Sequence, residues 1–162
     1  MNEKPFQKLL PGNHCWGCGI DTVGGLDVQS FWSGEDEATC TWMPSPQHMA
    51  GPRDAVNGGI IASVIDCHCI CTAAADAYRQ ENRPIGEAPI LWFATGTLNV
   101  RYYRPTPIDR PMIVRAQITE RTPKRTNLTC TVYSDGKKCV IGQVVAVRVP
   151  PTWVTTGTAF AT

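Results

Sequence analysis

Asn57-Gly58-Gly59-Ile60-Ile61-Ala62-Ser63-Val64-Ile65-Asp66-Cys67-His68-Cys69-Ile70-Cys71-Thr72-Ala73-Ala74-Ala75 is the stretch on which the fold of this chain turns. Ile60, Ile61, Val64, Ile65, Ile70, Ala73, Ala74 and Ala77 fill most turns of a helix predicted from Ile60 to Arg79. A helix that is apolar on most sides is buried on most sides. Asn57 suits its N-cap, and Asn82 to Pro84 close the segment.

On either side of this helix the pattern is that of strands. Leu26–Ser33 and Asp36–Met43 precede it, and the second alternates Ala38, Cys40 and Trp42 against Thr39 and Thr41. Strand-like runs follow at Leu91–Arg104, Pro111–Thr122, Thr126–Ser134 and Lys138–Arg148, with Asp135-Gly136 as a type I′ hairpin signal between the last two. Two strands, one buried helix and then about four strands argue an α+β domain, an antiparallel sheet wrapped on a central helix. Residues 1–24 read as an irregular arm carrying a CxxC turn, 25–150 as the domain, and 151–162 as a poorly ordered tail.

Composition narrows the function classes. The chain has 162 residues, which suits one domain of about 100–200 residues. Fifteen basic against fourteen acidic residues give no excess that would point to nucleic acid. The strongly apolar run Gly58–Ile65 is far short of the roughly 20 residues of a bilayer span, so no membrane partner is expected. MNEKPFQKLLPGNHC carries no apolar core of signal-peptide length, and the expectation is a cytoplasmic chain.

From Ile60 to Ala75 the one charged residue is Asp66. An ionised carboxylate in a low-dielectric setting costs several kcal/mol unless it is paired or neutralised. Either it pairs with a cation or faces solvent, or it has a task. Gly58 and Gly59 at the helix entrance would let another group approach free backbone N–H donors, with the helix dipole adding positive potential. That is the chemistry of an oxyanion hole; the alternative is a tight turn needing positive φ. Gly58 and Asp66 are eight residues apart, about 12 Å along the axis at about 1.5 Å per residue. One carbonyl cannot meet both within a chain. If they act together, two helices lie antiparallel in a two-fold dimer, one chain's glycines beside the other's carboxylate.

Eight cysteines complete the inventory. Cys40, Cys130 and Cys139 read as strand filler, and Cys67, Cys69 and Cys71 as small apolar residues on a helix. His14-Cys15-Trp16-Gly17-Cys18-Gly19 is read as a glycine-rich turn with no metal. A metal site on His14, Cys15 and Cys18 is its weaker alternative, because a structural zinc needs four ligands and no second CxxC exists. A redox pair is the other.

At these residues the sequence resembles the hotdog-fold acyl-CoA thioesterases, in the group related to the phenylacetate-pathway and 4-hydroxybenzoyl-CoA thioesterases. The likeness lies in the Gly58-Gly59 helix entrance with Asp66 two turns on, in Cys15-Trp16-Gly17-Cys18-Gly19 with Gly24-Gly25-Leu26, and in Thr97-Leu98-Asn99-Val100-Arg101-Tyr102-Tyr103-Arg104-Pro105. The resemblance implies a hotdog fold with five or six antiparallel strands, assembled as a homodimer or a homotetramer of two dimers. It implies hydrolysis of an acyl-CoA substrate without cofactor. Asp66 would be nucleophile or general base, and the N–H of Gly58 or Gly59 the oxyanion donor. Asn57 stands where the family has His and cannot serve as acid or base. His48, Ser63 and Asn99 are candidate substrate contacts. Arg101, Arg104 and Arg125, with Arg121 and Lys124, are candidates for the CoA phosphates. A non-catalytic acyl-CoA binder and a hotdog hydratase or dehydratase are the competing functions.

Overall fold

The computed structural model describes residues 4–155. Its elements run α1 (Phe6–Leu9), β1 (Phe31–Trp32), β2 (Glu37–Trp42), a 3-10 turn (Pro46–His48), α2 (Gly58–Gln80), β3 (Trp92–Tyr102), β4 (Met112–Arg121), β5 (Arg125–Ser134), β6 (Lys137–Val149) and α3 (Thr152–Thr155). Asn57 starts α2 from an extended backbone, its side-chain oxygen accepting the N–H of Gly59 and Ile60 at 2.8 and 3.3 Å. The helix buries Ile61, Val64, Ile65, Cys69, Ala73 and Tyr78 against the sheet. By length and hydropathy α2 does reach what a bilayer span needs, because its alanines and cysteines count as apolar. Yet most of that apolar stretch is buried inside the protein.

The sheet has six strands in the order β1-β2-β4-β5-β6-β3, and every pairing is antiparallel. One long helix on this sheet is the α+β hotdog arrangement expected from the pattern of elements. Asp135 and Gly136 both take positive φ, 51° and 69°, as the type I′ turn requires. The strand expected over Leu26–Ser33 shrinks to Phe31–Trp32. The Leu26 carbonyl accepts Trp42 Nε1, Asp27 has φ 48°, and the Val28 N–H goes to the Gly17 carbonyl. These bonds draw the backbone toward the arm instead of a neighbouring strand.

The arm, expected to be irregular, enters the core. Phe6, Gln7 and Leu10 are buried, and Phe6 packs on Trp32 with ring centroids 4.9 Å apart. Gln7 and Ser30 exchange two hydrogen bonds, 2.8 and 2.9 Å. Ser30 Oγ meets His68 Nδ1 at 2.7 Å, and His68 Nε2 meets the Ala38 carbonyl at 3.2 Å. Burial pushes the fully enclosed His68 down to about 4, so it is a neutral core residue and not a site group. The tail begins as the helical turn α3; the rest of it, residues 156–162, lies outside the described residues.

The far end of α2 is fastened by charge. Asp76, 2% exposed, accepts from Arg79 Nη2 and Arg121 Nε, each at 2.7 Å, while Arg121 also binds Asp36. Burial alone would raise the Asp76 pKa, but the two guanidiniums hold it below the usual carboxylate range. Breaking a buried pair outright costs about 3–5 kcal/mol, but removing Arg121 leaves Arg79 on the carboxylate, so the cost falls below that. Arg121→Ala is therefore expected to lower unfolding stability in urea by about 2 kcal/mol, between a surface pair and a buried one; a loss below about 1 kcal/mol, the value of a surface pair, contradicts this role.

Candidate active site

Asp66 lies on the face of α2 that meets β3, where Thr95 Oγ1 donates a 2.5 Å hydrogen bond to its Oδ1. Gly96 makes that approach possible. The β3–β6 register shifts between Thr95 and Thr97, and a Cβ at Gly96 would come within 2.6 Å of Val147 Cγ2. No Lys, Arg or His pairs with Asp66 among the described residues. Its pKa is raised by burial, against which the Thr95 hydrogen bond acts. The carboxylate faces a cavity of about 250 Å³ whose wall includes Ile70, Ala74, Leu91, Phe93 and Trp153. An unpaired carboxylate opening into an apolar cavity, oriented by one hydroxyl, can act as a base or nucleophile on a neutral substrate.

The other end of α2 carries the glycines. Neither Gly58 nor Gly59 has positive φ, so a tight turn is not what places glycine there. The Gly59 N–H is taken by Asn57 Oδ1, which removes it as an oxyanion donor. The Gly58 N–H has no partner among the described residues. Tyr102 Oη donates to the Gly58 carbonyl at 2.6 Å and holds this first helical residue against β3. A groove of about 340 Å³ opens here, lined by Gly58, Ile61, Tyr102, Arg104 and Thr106, whose buried hydroxyl has no partner among the described residues.

The remaining expected site residues scatter. Arg104 lies beside Gly58 in that groove. Asn57 spends its side-chain oxygen on the cap and keeps its amide N–H groups for another partner. His48 sits in the 3-10 turn with Nδ1 accepting from the Ser45 N–H at 3.0 Å and its ring on Trp42, while its carbonyl accepts the Asn57 N–H at 2.8 Å. It fixes the loop that enters the helix. Ser63, expected to orient Asp66, instead donates to the Gly59 carbonyl at 3.0 Å, the ordinary back-bond of a helical serine. Asn99 and Arg101 line a shallow hollow with Ile141 and Gln143, and strand alternation sets them opposite Leu98, Val100 and Tyr102. Arg125 pairs with Glu120 at 3.8 Å and Arg121 is held by Asp76, at the end of the sheet near the C-terminus of α2. His14 is exposed and stands outside the thiol group formed by Cys15 and Cys18. Thr95 is the residue that sequence reasoning missed. The glycine beside it in a strand signals a bulge, but nothing local links it to Asp66.

No protein-family model matches the chain. Among curated proteins, acyl-coenzyme A thioesterase THEM4 of Mus musculus is 21% identical over 122 residues, covering 75% of this chain and 47% of that protein. The chain thus spans about half the length of this relative. Among solved structures, a thioesterase superfamily protein from Shewanella loihica PV-4 is 29% identical, with a TM-score of 0.61 over 86% of this chain and 96% of that one. Thioesterase HI1161 from Haemophilus influenzae gives a TM-score of 0.64 at 13% identity, covering 78% and 80% of the two chains. The PaaI protein of the E. coli phenylacetic acid degradation operon gives 0.59 at 14%, covering 77% and 81%.

Because burial raises the Asp66 pKa and the Thr95 hydrogen bond lowers it, Thr95→Val is expected to move the carboxyl midpoint to higher pH than in wild type. Carbon-detected NMR titration of the Asp66 side chain reads this directly. A Thr95→Val midpoint at or below the wild-type one contradicts the assignment.

Proposed function

We propose that this chain, which has the hotdog fold of the thioesterase superfamily, hydrolyses an acyl-CoA thioester to the free acid and CoA in a site shared by two protomers. The observation that carries the reading is Asp66: a half-buried carboxylate without a cation, aimed by Thr95 into an apolar cavity. The acyl group occupies that cavity. Asp66 either attacks the carbonyl carbon or takes the proton of an attacking water, and both roles require its ionised form. Oxygen adds to the carbonyl, the C–S bond breaks, and the thiolate of CoA leaves and is protonated by solvent; if Asp66 attacked, a water then cleaves the acyl–Asp66 anhydride to free acid and carboxylate, and if it acted as base, it returns its proton to solvent.

The developing oxyanion needs a donor from elsewhere, because the Gly58 N–H lies about 12 Å from Asp66 along the same helix. β3 supplies a way to bring a second one. It ends the sheet, and its outer edge is unpaired among the described residues over eleven residues. Thr95, beside Asp66, lies toward one end of it, and Tyr102, beside Gly58, lies at the other. Antiparallel pairing of β3 with the same strand of a second copy sets one chain's Thr95 end against the other's Tyr102 end. Each Asp66 then faces a partner helix N-terminus, where the Gly58 N–H and the helix dipole stabilise negative charge. Arg104, in the groove beside Gly58, is placed to meet a CoA phosphate.

Two variants separate these roles across a panel of acyl-CoA esters. Asp66→Asn keeps shape and removes the base, and is expected to lower kcat about 10²–10⁴-fold. Gly58→Pro removes the N–H and adds a ring whose Cβ would make ordinary contact with Tyr102, at 3.4 Å. Proline is favoured at the first helical position, and Asn57 already has the extended backbone that precedes proline, φ −57° and ψ 131°. The expected loss in kcat is about 10²–10³-fold, with the helix intact by circular dichroism. Wild-type rates in Asp66→Asn, or calorimetric binding of acyl-CoA with no turnover by the wild type, overturn the proposal.

A further inference from the structure

Three of the eight cysteine sulfurs gather at one point, and a fourth, that of Cys71, lies beside one of them. The turn Cys15-Trp16-Gly17-Cys18-Gly19 is closed by the Cys18 and Gly19 N–H groups donating to the Cys15 carbonyl at 3.3 and 2.6 Å. This loop lies on α2 where Cys67 and Cys71, four residues apart, share a helix face. Cys15 Sγ is 3.7 Å from Cys67 Sγ, and Cys18 Sγ is 3.9 Å from Cys71 Sγ. The sulfurs of Cys15, Cys18 and Cys67 all lie within 4.8 Å of one another. Cys69, between the two helical ligands, points the other way and meets Cys130. All eight are free thiols.

The spacing has a chemical meaning. Four sulfurs around one ion at a Zn–S distance of about 2.3 Å form a tetrahedron whose edges are about 3.8 Å. Two pairs, at 3.7 and 3.9 Å, match that edge, while a disulfide needs S–S of about 2.0 Å; Cys71 Sγ stands outside the group of three and has to turn inward to complete the tetrahedron. A polynuclear iron–sulfur cluster would hold the cysteine sulfurs farther apart, so the fit is to a single ion. Two further features match a built site. Asn13 ties the turn together: its Oδ1 accepts the Cys15 N–H at 3.1 Å, and its Nδ2 reaches Cys18 Sγ at 3.6 Å, as an outer partner of a thiolate ligand does. Gly17 is the residue that lets the turn close on the helix, because a Cβ there would lie 2.5 Å from Cys67 Sγ.

We infer that Cys15, Cys18, Cys67 and Cys71 form a tetrathiolate site for one zinc-type divalent ion, which fastens the N-terminal arm to α2. Binding releases the thiol protons to solvent and leaves four thiolates on the metal, with no position open for substrate. The role is structural. The four ligands share the wall of the cavity that holds Asp66, and Cys67 follows Asp66 in sequence. The ion would therefore set one side of that cavity without taking part in the reaction. The inference stands on the thiols alone and holds whether or not the protein is a hydrolase.

Metal analysis of full-length protein purified without chelator, followed by reconstitution of the stripped protein with Zn²⁺ or Co²⁺, tests it. One equivalent of ion per chain is expected, and the Co²⁺ form is expected to show thiolate-to-cobalt charge transfer with tetrahedral ligand-field bands. Alkylation of Cys15, the exposed thiol, should slow at least about tenfold when Zn²⁺ is bound. Cys71→Ser should weaken Co²⁺ binding by more than the roughly 10–100-fold that loss of an outer partner costs, and Cys69→Ala on the same helix should leave it unchanged. Wild-type protein that takes up neither ion, shows no charge-transfer band, or holds a Cys15–Cys18 disulfide after anaerobic purification overturns the site. These readings come from the wild type, so they stand even if a variant fails to fold.

Discussion

The hydrogen bond from Thr95 to Asp66 is the contact on which the functional architecture depends. α2 is apolar enough for most of its circumference to be covered, and a carboxylate placed midway along such a helix must be compensated or neutral. Here no cation among the described residues approaches it. One hydroxyl, brought in by a bulge at Gly96, accounts for its compensation, so the group keeps a raised pKa and an oxygen directed at an apolar space. Asp76, ten residues on, shows the contrast. It is more deeply buried than Asp66, yet two arginines surround it and it is chemically quiet. The same side chain on one helix is a fastening at one place and, in the proposed reaction, the reactive group at another, and the neighbours decide which.

Much of this was legible in the order of residues. The apolar run from Ile60 and the alternation in Glu37–Trp42 placed the helix and the sheet, because burial periodicity is a local property. The isolation of Asp66 was visible for the same reason: a charge in an apolar helix is a local anomaly. What stayed hidden depends on contacts far apart in sequence. Thr95 is twenty-nine residues from Asp66, and only the turn after α2 brings them together. Ser63, one helical turn away, looked the better orienting group, yet its hydroxyl finds the backbone carbonyl four residues earlier first. The arginines divided for a similar reason: Arg121 is claimed by Asp76 and Arg125 by Glu120, so proximity of type did not become proximity in space.

The cysteines show how a spacing argument can be right locally and incomplete globally. Residues two apart on a helix do diverge, which is why Cys69 leaves the group. Residues four apart converge, and Cys67 and Cys71 meet a CxxC turn about fifty positions away in sequence. Counting ligands along the sequence looked for a second CxxC, whereas the fold supplies the other half from one helix face. His14, adjacent to the turn in sequence, is exposed and does not join the thiols.

Mixed dimers test the central claim, that Asp66 of one protomer works with Gly58 of the other, most directly. When Asp66→Asn and Gly58→Pro chains are co-refolded, random pairing makes half of the dimers hybrid, and each hybrid holds one site with both changes and one with neither. A shared site predicts that the mixture of two nearly inactive variants recovers about a quarter of the wild-type turnover of acyl-CoA. A mixture no more active than the average of its two components would contradict it, and would return both groups to independent roles within one chain.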